Sequence, residues 1–155
     1  MLRLQLPFVF AAFAVTATSP ALAAGPIDTR AVEAVLATYK TALERLDVTG
    51  TQELFTPDSQ IFENGGIEGT YANYLKHHIG PELAAFKSFK FSDYKVSVRF
   101  EGAVALATET YSYRIEPKTG DIAERRGVAT SVLVKRDGRW RIAVTHGSSR
   151  KPKAA

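Results

Sequence analysis

The stretch DGRWRIAVTHGSS, residues 137–149, is the most informative one for the fold. Its pattern predicts a strand with apolar residues in its first half and polar residues at its end. Its Asp-Gly pair is typical of the tight turn between two hairpin strands. The apolar residues after the turn alternate: Trp140, Ile142 and Val144. This alternation predicts one face toward a core, and if it continues, His146 and Ser148 point the same way. We therefore expect the strand to pass from a packed core into the wall of a pocket.

Three long alternating segments before this stretch predict further antiparallel strands, at residues 89–100, 103–116 and 122–137. In the first of them the large apolar residues change parity, from Phe89 and Phe91 to the even-numbered positions that start at Tyr94. One extra residue near Ser92 and Asp93 would reconcile the two halves. The pattern thus predicts a β-bulge there, and with it a sharp bend of the sheet.

The first half of the domain is helical, apart from a short predicted strand at residues 59–64. Apolar residues at helical spacing predict one helix over residues 28–46 and a second over residues 68–86. Pro81 should kink the second helix or divide it into two short ones, since proline removes a backbone donor. Helices followed by hairpins indicate an α+β fold. We expect a strongly bent antiparallel sheet wrapped around N-terminal helices, which makes a cone with an internal pocket.

The order of these elements resembles the nuclear transport factor 2-like superfamily, and more narrowly its SnoaL-like branch. The resemblance depends on LFTPDSQIFENGG (residues 54–66) between two helices, and on a final Trp-x-Ile strand that runs to a His-x-Ser pair. It implies a conical pocket and, frequently, dimers that pack through the outer face of the sheet. The family includes isomerases, dehydratases, polyketide cyclases and members without known chemistry. The fold therefore does not settle the function.

The chain begins like an exported protein. Arg3, an apolar run over residues 6–15 and small residues before Ala24 predict a signal peptide at residues 1–23, cleaved after Ala23. The remaining chain divides into a domain at residues 24–149 and a basic tail at residues 150–155. We expect a periplasmic or secreted protein with no membrane span after processing. Cysteine is absent, which excludes disulfides, thiol nucleophiles and thiolate metal ligands.

The charge pattern argues against a nucleic-acid partner. The net charge of the 155-residue chain is only +4, and no aromatic residues interleave with the basic tail. The expected partners are a small apolar or aromatic molecule and a second copy of the chain. A homodimer is predicted because the outward face of the sheet would expose apolar residues, among them Val104, Leu106 and Val132.

Histidines are the strongest candidates for catalysis. On the second helix Tyr71, Tyr74, His78 and Glu82 share one face, which makes His78 rather than His77 the inward histidine. If His78 and His146 face one cavity, they could act as general acid and base, with the pocket isomerase-like or dehydratase-like. The competing interpretation is that each histidine is partly buried and hydrogen-bonded to the backbone or to Ser148.

Other polar and aromatic residues complete the predicted site. The predicted ligand-binding residues are Tyr74, Ser148, Glu63, Trp140 and Tyr71. No cofactor is expected, and the alternative is a metal held by His78, Glu82 and His146, since the first two lie one helical turn apart. A third interpretation is a non-catalytic dimeric interaction module whose pocket is filled by core side chains.

Overall fold

The computed structural model describes residues 25–153, so the predicted signal peptide at residues 1–23 lies outside the described residues. The helices are α1 (Pro26–Glu44), α2 (Tyr71–Tyr74) and α3 (Gly80–Ala85), with a 3₁₀ turn at Thr51–Leu54 and a π-helical turn at Leu75–Ile79 between α2 and α3. The strands are β1 (Phe55–Glu63), β2 (Gly66–Gly69), β3 (Phe86–Glu101), β4 (Val104–Pro117), β5 (Ala123–Arg136) and β6 (Arg139–Arg150). This is the predicted α+β order.

The six strands form one curved sheet in the order β2-β1-β6-β5-β4-β3. Neighbouring strands run antiparallel, except that β1 and β6 are parallel. Helix α1 packs against β3 and β6, and the segment from α2 to α3 packs on β1 and β2. The bent sheet and the helices enclose the interior of the cone, as the sequence predicts.

The predicted bulge in β3 is confirmed. Ser92 pairs with Ser112 and Lys95 pairs with Thr110, so β3 has one residue more than β4 over this interval. Asp93 has a φ of 53°, a left-handed conformation in which the chain can turn sharply. After the bulge, Tyr94 continues on the inner face.

The predicted division of the second helical segment also agrees with the structure. Pro81 lies in the first turn of α3, directly after the π-helical turn, where the helical hydrogen-bond pattern changes. Gly80 is needed at the junction because a Cβ there would lie 2.4 Å from the backbone oxygen of Leu75. The intervening π-helical turn carries both His77 and His78.

A second bulge, in β6, was not predicted. Val132 pairs with Val144 but Leu133 pairs with Ile142, so Ala143 is an extra residue in β6. The parity of the inward face changes there. Trp140 and Ile142 are buried as predicted, whereas His146 is exposed on the opposite face. The prediction that His146 points inward is wrong.

Trp140 connects the end of the sheet to the start of the helical layer. Its indole N–H donates a hydrogen bond of 2.8 Å to Asp28 on α1, and Lys135 lies 2.9 Å from the same carboxylate oxygen. These contacts hold the pKa of Asp28 below its ordinary value. None of the helices between residues 25 and 153 is both long enough and apolar enough to cross a membrane.

Trp140→Ala and His146→Ala should differ sharply in stability. The tryptophan is only 7% exposed, so its truncation leaves a cavity and should lower the free energy of unfolding by about 3–5 kcal/mol. The His146 side chain is exposed and buries little surface, so its truncation should lower the free energy of unfolding by no more than about 0.5 kcal/mol. Urea denaturation of both variants measures the difference. Equal losses would contradict the placement of His146 on the outer face.

Candidate active site

The interior of the cone contains a cavity of about 170 Å³ between α1, the inner face of the sheet and the segment from α2 to α3. Leu36, Tyr39 and Leu43 of α1 form one wall. The other walls are mostly aromatic and aliphatic. A cavity of about 150 Å³ is large enough to bind benzene, so this one has room for a single ring.

The cavity exists because large and small residues are segregated on the sheet. The inner face of β3 and β4 carries the large aromatic side chains Phe89, Phe91, Tyr94, Tyr111 and Tyr113. The inner face of β5 and β6 carries small residues: Gly127, Ala129, Ser131, Thr145, Gly147 and Ser149. The aromatic side chains reach into the interior, and the small residues opposite them leave space unfilled.

Gly127 makes this arrangement possible at one point. A Cβ atom there would lie 2.1 Å from the ring of Tyr111, which is far closer than atoms can approach. Tyr111 and Gly127 are paired across β4 and β5, so the ring lies over the glycine backbone. The missing side chain at Gly127 thus fixes the position of an aromatic wall of the cavity.

A tyrosine–carboxylate pair lies on the β3–β4 side of the cavity. Glu109 is on the inner face of β4, and the hydroxyl of Tyr94 donates a hydrogen bond to its Oε1. Burial raises the pKa of the Glu109 carboxyl, although the bond from Tyr94 works in the opposite direction. Burial and the adjacent Glu109 charge also raise the pKa of Tyr94. A partly buried carboxyl that holds its proton at higher pH is a candidate general acid or base.

A second tyrosine–carboxylate pair lies at the end of β1. The hydroxyl of Tyr74 donates a hydrogen bond of 2.5 Å to Oε2 of Glu63. Burial, followed by the negative charge of neighbouring groups that include Glu63, raises the pKa of Tyr74. Burial raises the pKa of the Tyr39 hydroxyl well above its ordinary value, with further contributions from Tyr71, Glu63 and Glu109. Glu63 and Glu109 both line the same cavity.

His78 belongs to a group of ionisable side chains that we call the rim cluster: His78, Glu63, Glu68 and Glu82. Its Nδ1 lies 3.0 Å from Glu68, and its Nε2 lies 3.3 Å from Glu82 and 3.9 Å from Glu63. Partial burial disfavours the charged imidazole, but the bond to Glu68 and the charges of Glu82 and Glu63 outweigh it and raise the pKa of His78. Glu63 and Glu82 line the cavity, whereas His78 contacts them from outside it.

The predicted site residues separate into two groups. Glu63 and Tyr74 line the cavity, and Ser148 lies at its edge with an exposed side chain. Trp140 and Tyr71 are core residues instead, and the Tyr71 ring stacks on Phe55 at 3.7 Å between centroids. Their predicted role as ligand-binding residues is not supported by this placement.

His78 and His146 do not meet. His146 follows the Ala143 bulge and lies on the outer face of the sheet, 6.3 Å from the Phe62 ring. The predicted histidine acid–base pair is therefore wrong, and so is the metal set of His78, Glu82 and His146. Between residues 25 and 153, no group of three His, Asp or Glu side chains has the arrangement of a metal site.

Glu109 was not among the predicted site residues, although the sequence contains a signal for it. The inner-face residues of β4 are odd-numbered and otherwise apolar or aromatic: Ala105, Ala107, Tyr111, Tyr113 and Ile115. A carboxylate in such a row is unusual, because burial of a charge is costly.

The comparisons with known proteins identify the family and the fold. The chain belongs to the SnoaL-like domain family, whose profile matches residues 32–151. A candidate dehydratase of the NTF2-like family from Streptomyces avermitilis has a TM-score of 0.68 at 21% identity, over 83% of this chain and 98% of its own. A candidate ketosteroid isomerase from Shewanella frigidimarina has a TM-score of 0.65 at 26% identity, over 76% of this chain and 94% of its own.

A third structure, an NTF2-like superfamily protein from Salmonella enterica, has a TM-score of 0.69 at 19% identity, over 83% of this chain and 96% of its own. These likenesses show that the fold is NTF2-like, as the sequence resemblance implies. No curated protein matches the chain.

The raised pKa of Glu109 predicts a particular pH dependence of stability. A carboxyl whose pKa is higher in the folded state than in the unfolded state stabilises the fold below the ordinary carboxyl pKa, and this contribution is lost as the pH rises through the raised value. The free energy of unfolding of the wild type should thus fall relative to that of Glu109→Gln as the pH rises above the ordinary carboxyl pKa of about 4.

Urea denaturation at several pH values measures this difference. Glu101→Gln, at the exposed end of β3, is the matched control and should follow the wild-type curve. If Glu109→Gln also runs parallel to the wild type, the Glu109 carboxyl is not perturbed by burial.

Proposed function

We propose that the protein binds a small molecule built on a single ring in the cavity, with a polar group of the ligand directed to Glu109 and Tyr94. The observation that carries this proposal is the cavity of about 170 Å³, mostly apolar but with a partly buried carboxylate in its wall. Apolar walls with a few convergent polar groups are typical of ligand sites. The dehydratase and ketosteroid isomerase names of two similar structures support a small-molecule function.

The Glu109–Tyr94 pair favours a second candidate function, proton-transfer catalysis of the isomerase or dehydratase kind. Glu109 would accept or return a proton at a ligand carbon, and the Tyr94 hydroxyl would orient the carboxyl group. This role requires a carboxyl whose pKa is displaced toward neutrality, and burial displaces it in that direction. Glu63 with Tyr74 is a second tyrosine–carboxylate pair that lines the cavity.

One experiment with a small cyclic ketone tests both functions. Cyclohexanone fits a single-ring cavity and has exchangeable protons beside its carbonyl group. Binding is followed by NMR titration, and catalysis by the loss of these proton signals in D₂O. We expect binding to the wild type and, if the site is catalytic, accelerated exchange that Glu109→Gln lowers by about a hundredfold or more.

The matched controls are two adjacent residues of β5. Ala129 lines the cavity and Thr130 is exposed on the outer face, so Ala129→Leu should abolish binding whereas Thr130→Leu should preserve it. Binding without accelerated exchange rejects the catalytic candidate and retains the binding function. Binding that survives in a folded Ala129→Leu protein rejects the cavity as the site.

We also propose that the protein is exported and forms a homodimer through the outer face of the sheet. Leu106, Val132 and Val144 are paired in one row across β4, β5 and β6, and all three are partly exposed. A second copy would cover this apolar row. Native mass spectrometry of a periplasmic fraction tests both parts: we expect a dimer of chains that begin within a residue or two of Ala24. A full-length or monomeric species contradicts the corresponding part.

A further inference from the structure

The charges that line the cavity have one sign. Three carboxylates line the cavity: Glu63, Glu82 and Glu109. Among the described lining residues there is no lysine, arginine or histidine. Charge interactions are strong in a partly desolvated interior because little water screens them. An anionic ligand would therefore be repelled, and a cationic ligand attracted.

Aromatic rings lie beside one of these carboxylates, Glu109. Tyr111 follows Glu109 by two residues on the same face of β4, and Tyr94 donates a hydrogen bond to Glu109. The Phe91 ring lies 5.1 Å from that of Tyr111 and 6.3 Å from that of Tyr94, between centroids. Aromatic faces next to a carboxylate form the environment in which proteins recognise ammonium groups.

The protein already places one cation on these rings. The ammonium group of Lys40, on α1, lies 5.5 Å from the centroid of Phe91 and 5.4 Å from that of Tyr94. Its charge is paired with Glu44, at 2.7 Å. Glu109, by contrast, has no ion-pair partner among residues 25–153. The rings of Phe91 and Tyr94 thus already contact a cation from α1. The Glu109 carboxylate, which faces the cavity, pairs with no cation among the described residues.

We propose that the ligand is a ring-bearing amine, bound as its ammonium ion between the Glu109 carboxylate and the rings of Phe91, Tyr94 and Tyr111. This inference deepens the proposed binding function and depends on it, but it does not depend on the catalytic candidate. The ammonium group supplies the counter-charge that Glu109 lacks. The single-ring volume of the cavity limits the ligand to about the size of a benzylamine.

Three probes of nearly equal size and different charge test the proposal: benzylammonium, benzyl alcohol and benzoate. Calorimetric titration of the wild type at neutral pH should give benzylammonium an affinity at least about tenfold above that of benzyl alcohol, with no measurable binding of benzoate. Glu109→Gln should remove the advantage of benzylammonium over benzyl alcohol, because the glutamine amide carries no charge.

Two further variants make the result decisive. Glu101→Gln removes an exposed carboxylate of β3 and should retain the wild-type order of the probes. Glu109→Met, neutral and of similar length, replaces Glu109→Gln if thermal melting shows that the glutamine variant does not fold.

Each contrary outcome has a distinct meaning. If benzyl alcohol or benzoate binds the wild type as tightly as benzylammonium does, the amine proposal is overturned and the ring-binding function remains. An undiminished preference for benzylammonium in the Glu109 variants overturns the placement of the ammonium group. If no probe binds, the proposed binding function fails as well.

Discussion

The extra residue Ala143 in β6 is the constraint on which the interior of this protein depends. Before it, Trp140 and Ile142 are packed into the core; after it, the inward positions belong to Thr145, Gly147 and Ser149. Without the extra residue, the same strand would direct an imidazole inward. The bulge therefore removes histidine chemistry from the cavity and replaces it with small side chains that leave space.

The chemical character of the cavity comes from β3 and β4, whose side chains lie opposite β5 and β6. The bulge at Asp93 continues the inner face of β3 at Tyr94, which reaches Glu109 on β4. The large rings on these two strands face glycine, alanine and serine residues on β5 and β6, which leaves a cavity with mostly apolar walls. The charged side chains in those walls are acidic. The SnoaL-like domain provides the scaffold, and the partly buried Glu109–Tyr94 pair is the polar group that we propose the ligand contacts.

The sequence predicted the fold well because the relevant signals are local and repeated. Alternation predicted the long strands, and the parity change around Asp93 predicted the first bulge. The second bulge gave no such signal, because Ile142 and Val144 are both apolar and a slip at Ala143 leaves the pattern unchanged. Glu63 and Tyr74 were predicted at the cavity, but Glu109 was not, since its place in the cavity wall depends on how the sheet curves.

The central claim is that the interior is open space beside Glu109 rather than a packed core, and xenon binding tests it most directly. Crystals pressurised with xenon should show a xenon atom inside the cone, bounded by aromatic side chains of β3 and β4 and by Ala129 of β5, since apolar cavities of this size bind xenon. Diffraction data that show the interior filled by side chains, with xenon only on the surface, would contradict the account.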